Sequence, residues 1–410
     1  MNSRHLRKVP SRLLKTAVRP RPVESSVPEF RPPTPRMVLE TPRFPYGIPE
    51  EMLYAIYSPK PPPLCPMGSF NSAPKILNED TQDDDVTLPP RMSQDQLLTH
   101  CRQQMSPPSL ISRHFRHLQT DCSESKPSTL RILQWNLLSQ ALGQNNDNFV
   151  SCPEAALEWS RRRNLIADEI VRYSPDIICL QEVDHFKYLQ KVLGTQGFRG
   201  MFFPKPDSPC MYIKGNNGPD GCAIFYQTER YQLVRTETRV LEVWRVQSNQ
   251  VAILMILRDK ETDEEICVAT THLKARNGAL LSALRNEQGK DLLEFVAQHA
   301  GNRPVILSGD FNAEPIEPIY STVLSHDLLR LTSAYGQGAE PPYTTWKIRE
   351  EGEVCHTIDY VFCSRDRFTT TNLLEFPSGE EIGIDRIPSF SYPSDHFSLV
   401  CDLDLHPAKL

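Results

Sequence analysis

Val305-Ile306-Leu307-Ser308-Gly309-Asp310-Phe311-Asn312 is a short aliphatic run that passes directly into an acid, an aromatic ring and an amide. A run of three branched residues bounded by a glycine is the pattern of a fully buried strand. Working outward, the same grammar recurs. Ile132–Trp135 ends in Asn136, Asp176–Leu180 ends in Gln181-Glu182, and Ile266–Thr271 ends in His272. Thr357-Ile358-Asp359-Tyr360 and Ser394-Asp395-His396 put an acid or an imidazole beside two further apolar runs, Thr357–Phe362 and Phe397–Leu403. Cys222–Tyr226 and Val251–Leu257 complete the expected strands. Helices are expected over Glu154–Tyr173, stopped by Ser174-Pro175, over Leu280–His299 and over Pro315–Ser325. Short strands alternating with amphipathic stretches predict an α/β domain, with no internal repeat and no leucine-rich array.

Composition limits this domain to the last two thirds of the chain. Of 36 prolines in 410 residues, 21 fall in residues 1–128. That segment carries 17 Lys+Arg against 13 Asp+Glu, and the remainder 28 against 38. The expected organisation is a disordered proline-rich tail over 1–128, with a short helix within Gln94–Arg116, and a catalytic domain over 129–406. The first 23 residues hold seven Arg/Lys and no acid, compatible with a mitochondrial import sequence, although Pro10, Pro20 and Pro22 interrupt the helix that reading needs. A solvated basic arm is the alternative. Eleven singly scattered cysteines without a C-x-x-C exclude a zinc cluster or a disulfide framework and suit a reducing, cytoplasmic compartment. No uncharged apolar run is long enough to span a bilayer, so no membrane insertion is expected. An acidic domain is a poor general binder of nucleic acid, so any phosphate it handles must meet local cations or a metal.

Singly, each polar strand end has an ordinary explanation. Asn136 suits a turn, Gly309 and Asp310 a tight bend, Ser394-Asp395-His396 a cap, and Asp359 a surface position. Six in order are harder to dismiss, because ionisable groups at the ends of buried strands are costly unless they pair or bind a cation. Carboxylate and amide oxygens without thiolates favour a hard ion such as Mg²⁺, and the chemistry expected is metal-dependent hydrolysis of a phosphate ester.

Trp135-Asn136, Leu180-Gln181-Glu182-Val183, Thr271-His272-Leu273, Gly309-Asp310-Phe311-Asn312, Thr357-Ile358-Asp359-Tyr360 and Ser394-Asp395-His396 resemble, in this order, the endonuclease/exonuclease/phosphatase superfamily. The resemblance runs from Leu130 to Leu405 and implies the deoxyribonuclease I-like fold, a two-sheet α/β sandwich. Three more stretches, Asn216–Ala223, Thr271–Arg276 and Pro341–Lys347, resemble a narrower branch in its invertebrate form. Its members are similar to poly(A) deadenylases, but the activity associated with them is removal of the 2′-phosphate of NADP⁺ and NADPH, giving NAD⁺ and NADH.

By that resemblance Glu182 is the metal ligand, with Asn136 beside it. Asp310 orients and deprotonates the attacking water, with Asn312 on the same side. His396 hydrogen-bonds the phosphoryl oxygen, Asp359 fixes its tautomer, and Asp395 supports the same end. Substrate contacts are implied for Glu182, Lys205, Pro206, Asp207, Asn249, His272, Leu273, Lys274, Ala275, Arg276, Asp310, Phe311, Asn312 and His396. No catalytic position departs from the family pattern. A terminal monoester carries nearly two charges near pH 7, so its pocket should hold more cation than a diester track. Lys205, Lys274 and Arg276 are the cluster expected to meet it, an exposed loop pair being the plainer reading of the last two.

The expected function is thus an Mg²⁺-dependent NADP(H) 2′-phosphatase, a monomer, with association to deadenylase-complex proteins implied by the family's relatives. The main alternative is a poly(A)-specific 3′-exoribonuclease. A catalytically dead scaffold for RNA-decay proteins would require a missing catalytic group, and none is missing.

Overall fold

The computed structural model describes residues 86–105, 109–118, 128–145, 147–214 and 216–407. The basic stretch 1–23 and the proline-rich run 28–63 lie outside the described residues. Fifteen strands are described. In chain order β1 is Phe115–His117, β2 Ser128–Asn136, β3 Ile177–Val183, β4 Phe198–Pro204 and β5 Gly221–Gln227. They continue as β6 Tyr231–Val243, β7 Val246–Asp259, β8 Glu265–His272, β9 Val305–Asp310 and β10 Leu331–Ser333. The last five are β11 Thr345–Arg349, β12 Gly352–His356, β13 Asp359–Ser364, β14 Phe368–Leu374 and β15 Leu399–Leu405. Seven form a sheet in the order β1-β14-β15-β2-β3-β5-β4, six form a second in the order β10-β13-β9-β8-β7-β6, and β11 pairs with β12 in a separate hairpin.

All pairs are antiparallel except β2 with β3 and β8 with β9, which lie inside the two sheets. Parallel neighbours need a crossover. Helix Trp159–Val171 supplies one, and helix Ala279–Ala300 the other. Each covers the outer face of its sheet: Leu165, Ile166 and Ile170 pack with Leu133, Trp135 and Leu180, and Leu292 and Val296 with Leu254, Ala269 and Leu307. Between the sheets lies a third core of Ile132, Ile177, Cys179, Val268, Ile306 and Val361. The two-sheet α/β sandwich expected from the sequence is therefore the fold.

The helix expected over Glu154–Tyr173 is two helices, Glu154–Leu157 and Trp159–Val171, because Glu158 is extended at φ −63°, ψ 131°. The break lets Trp159 begin the second helix and stack on His185 at 3.8 Å between ring centroids. The boundary at residue 129 is also corrected. Helix Gln94–Gln104, capped by Ser93 and Gln96, buries Leu97, Leu98 and Cys101 in the core beneath the first sheet. β1 then adds to the edge of β14. The sandwich thus includes residues upstream of 119, because their apolar side chains at helical spacing complete its outer layer. Among the described residues no helix is long and apolar enough to cross a membrane.

Candidate active site

Side chains alternate along a strand, so the inter-sheet face can be followed two residues at a time. On β2 it runs from Ile132 through Gln134 to Asn136, and on β3 from Ile177 through Cys179 to Gln181. On β8 it runs from Val268 through Thr270 to His272, and on β9 from Ile306 through Ser308 to Asp310. One rim of the interior is therefore polar by register. His272 pairs with Asp310 across β8 and β9, and Asp359, the first residue of antiparallel β13, pairs with Asp310. Bonds across the gap lock the sheets together: Gln181 Nε2 donates to Thr270 Oγ1 at 2.8 Å, and Gln134 Nε2 to Asp359 Oδ1 at 3.1 Å.

Strict alternation would turn Glu182 away from this face. The register of β3 against β5 shifts between Leu180 and Val183, and Glu182 takes φ +51°. A bulge of this kind re-aims a side chain, so Gln181 and Glu182 both reach the rim. Asn136 Nδ2 donates to Glu182 Oε1 at 3.1 Å and to Asp310 Oδ2 at 2.9 Å. Two carboxylates from opposite sheets thus converge on one amide, as they would on a cation. Ser139 N–H donates to Glu182 Oε2 at 3.0 Å, and the carboxylate oxygens of Glu182 and Asp310, joined by Asn136 Oδ1 once its amide is turned from Leu138 N–H, would give an oxygen set that fits a hard divalent ion. Asp310, Asp359 and His396 also have ligating atoms within 4.8 Å of one another. That trio is a poorer cation site, because Asp359 is occupied by Gln134, Thr344 and His396, and His396 is held in its charged form.

His396 Nδ1 lies 2.8 Å from Asp359 Oδ2, and its Nε2 is 3.8 Å from both Asp310 Oδ2 and Asp395 Oδ2. Burial pulls the imidazole down, but Asp359, then Asp395 and Asp310, outweigh it and hold the pKa up at about 9. Burial, then the charge of Asp359, pushes Asp310 up to about 7 against His396, Asn136 and the Asn312 N–H. Burial also opposes ionisation of Asp395, yet Lys347, then His396 and Arg349, keep it well below the usual carboxylate range. The backbone here is fixed by Trp135 Nε1 donating to His396 O at 2.6 Å, Thr345 Oγ1 to Asp395 O at 2.6 Å and Ser394 Oγ to Asn136 O at 2.6 Å.

His272 is buried, with Nε2 3.6 Å from Asp310 Oδ2 and Nδ1 3.5 Å from Lys205 Nζ. Burial first, then the charges of Lys205 and His396, holds it far below the ordinary histidine value, so it is neutral. The ammonium facing Nδ1 leaves the ring proton on Nε2, toward Asp310. Lys205 itself is paired: its Nζ donates to Asp220 Oδ2 at 2.6 Å. Asn249 Oδ1 accepts the Asp207 N–H at 2.8 Å and holds the exposed Pro206-Asp207 turn.

The structure thus brings together Asn136, Glu182, Lys205, His272, Asp310, Asp359, Asp395 and His396, with Lys274, Ala275 and Arg276 in the loop that follows His272. Leu273 and Phe311 turn their side chains away from the rim. Both side chains are buried in the outer core, Phe311 edge-on to Tyr360, and both N–H groups are taken, Leu273 by Asp310 O and Phe311 by Ile358 O. Asn312 donates its amide to Leu273 O at 3.1 Å and orients Asp310 through its N–H, 2.9 Å from Oδ1. Sequence reasoning missed Asp220, Thr344, Lys347 and Asp147. Burial, then Asp395 and Glu182, pushes Asp147 up to about 6.

Acids from the two sheets face one rim of the sandwich, an arrangement that offers the oxygen ligands a hard divalent ion takes. Residues 133–396 match the model of the Endonuclease/Exonuclease/phosphatase family. Nocturnin of Drosophila melanogaster is 56% identical over 391 residues, 84% of this chain and 61% of that protein. The chain thus spans less than two thirds of the fly protein's length. Human Nocturnin is 47% identical over 316 residues, 75% of this chain and 72% of that one. The solved catalytic domain of human Nocturnin with bound sulfate anion superposes with a TM-score of 0.60 at 39% identity, covering 72% of this chain and 98% of that domain. ANGEL2, a 2′,3′-cyclic phosphatase, shares the fold at 20% identity with a TM-score of 0.58. The chain belongs to the nocturnin branch of the endonuclease/exonuclease/phosphatase family.

Proposed function

We propose that the protein removes the 2′-phosphate of NADP⁺ and NADPH with Mg²⁺ held by Glu182 and Asn136. The observation that carries this reading is the cation group beside the acids. Lys205 Nζ lies 3.5 Å from His272 Nδ1, Lys274 and Arg276 follow His272 in the same loop, and burial first, then the charges of Arg276 and Lys205, lowers the Lys274 ammonium. A dianionic monoester would relieve that repulsion more than a diester would.

A pKa of about 7 lets Asp310 take a proton from water near neutrality. As water oxygen bonds to phosphorus and the bond to the 2′-oxygen breaks, one water proton passes to Asp310 and the departing 2′-oxygen takes a proton from solvent to become the hydroxyl. His396, protonated below about 9 and fixed by Asp359, donates from Nε2 to the phosphoryl oxygen as charge builds there. Neutral His272 keeps Asp310 in place. Mg²⁺, which Glu182 and Asn136 would hold, would supply positive charge that stabilises the transition state.

Purified protein given NADPH or an A-tailed RNA under Mg²⁺ tests the assignment. Phosphate release from NADPH with little trimming is expected. Efficient trimming without phosphate release would replace this reading with an exoribonuclease. We further propose a cytoplasmic monomer, with mitochondrial import through residues 1–23 and association with deadenylase-complex proteins; the import segment lies outside the described residues.

A further inference from the structure

We propose that Arg285 is a positioning residue that sets the Lys274–Arg276 loop, so that phosphate affinity depends on where these cations are held as well as on their charge. The inference rests on the phosphatase reading for its substrate and on geometry for its mechanism. Arg285 belongs to helix Ala279–Ala300, is 1% exposed and touches none of the acids of the site. A guanidinium has five N–H donors, and a buried one needs partners for all of them. Here three contacts go to Glu317, from Nε at 3.2 Å and from Nη2 at 2.9 and 2.7 Å. The remaining nitrogen, Nη1, donates to the carbonyls of Lys274 at 3.1 Å and Arg276 at 2.7 Å.

Residues three and four positions on lie on the same helix face. Gln288 accepts the Lys274 N–H at 3.1 Å and is itself fixed by donating to Gln250 Oε1 at 3.0 Å. Gly289 lets the next helix approach: a Cβ there would meet Ile319 Cδ1 at 1.7 Å. That close approach brings Glu317, the residue capping helix Pro318–Leu324, against Arg285. The loop needs such a hold, since Arg276 sits at φ +82° and Gly278 at φ +124°. Lysine at 285 would keep the charge but could not bridge a carboxylate and two carbonyls from a planar fork.

The test is a double-mutant cycle of Arg285→Lys with Arg276→Ala, reading kcat and KM separately with NADPH and Mg²⁺. Arg285→Lys should raise KM about tenfold and leave kcat within about twofold. Arg276→Ala should cost about tenfold in kcat/KM in the wild-type background and less than about twofold beside Arg285→Lys, since a misplaced cation has little left to lose. Equal costs in both backgrounds, or a fall in kcat with KM unchanged, would overturn the proposal. Should Arg285→Lys fold poorly, Glu317→Gln should give the same KM shift, smaller, and faster amide hydrogen exchange over 274–278. Unchanged KM and unchanged exchange in that variant would also overturn it. If the wild type releases no phosphate from NADPH, the function assignment fails first, and the same cycle is read on A-tailed RNA.

Discussion

Asp359→Asn should move the pH optimum rather than simply lower the rate. The replacement is sterically mild, and the surroundings can absorb it. Asp359 Oδ2 accepts from Thr344 and faces His396, while Oδ1 accepts from the Gln134 amide, whose own Oε1 is buried without a hydrogen-bond partner. Rotating the Gln134 amide would turn that oxygen toward the new asparagine N–H₂. What is lost is charge. Asp359 is the chief group holding His396 up at about 9, and burial pulls the other way, so without it the imidazole falls toward the ordinary histidine value of 6.5. A full return to that value would drop the protonated fraction at pH 8 from about 0.9 to about 0.03, a loss of roughly thirtyfold in the competent form. Asp359 is also, after burial, the main reason Asp310 is raised to about 7, so the acidic limb moves down as well. The basic limb of the kcat/KM profile for NADPH should therefore shift toward acid by up to about two units, with the acidic limb moving less because burial still raises Asp310. A variant profile with its basic limb still near pH 9 would show that Asp359 does not set the charge of His396.

Glu182→Ala should lower turnover at least about a thousandfold, as should stripping the wild type with a chelator, with added Mg²⁺ restoring only the wild type. Wild-type-like rates in either case would remove Glu182 from the metal role. Lys274→Met should raise KM for NADPH about tenfold with kcat little changed, measured by phosphate release; an unchanged KM would leave the cation group without a substrate role. Asp184 is raised to about 7 by burial, so its folded form binds a proton that the unfolded chain has released above pH 4. Its contribution is present below about 4 and lost as pH rises to about 7, so Asp184→Asn should flatten that part of the stability curve by on the order of a few kcal/mol in denaturant titrations. A curve of unchanged slope would contradict the burial argument. Leu97→Ala, in the segment the composition places in the tail, should cost about 2–5 kcal/mol, and a midpoint unchanged in the same titrations would detach that helix from the core.

The sandwich was legible because its central strands are buried on both faces, so their sequences are aliphatic until the rim, where the residue type changes. That change marked Asn136, Glu182, His272, Asp310 and Asp359 without any knowledge of pairing. The supporting residues carry no such mark. Lys347 and Thr344 lie at the β11–β12 hairpin, and they meet Asp395 and Asp359 across 48 and 15 residues of chain. The aim of Glu182 depends on a bulge in a non-glycine residue, which no local propensity announces. Arg285 and Gln288 read as ordinary polar members of a helix, since nothing in their spacing says that carbonyls of a loop will need donors. The tail boundary misled for a related reason: prolines dominate the average over 1–128, while Leu97, Leu98 and Cys101 decide where packing starts.

The same alternation that fills the interior also explains why the site is stiff. Two residues above Ile132 and Cys179 the inter-sheet layer holds Gln134 and Gln181, each donating across the gap to the other sheet. A sliding motion of the sheets would break both bonds in a dry interior, where an unpaired amide costs about 1–3 kcal/mol. Glu182 and Asn136 on one sheet are thereby held against Asp310 and His272 on the other. Separation of the two carboxylates is set by side chains of the interior, and the burial and the Asp359 charge that raise Asp310 are sustained by the fold rather than relieved by it.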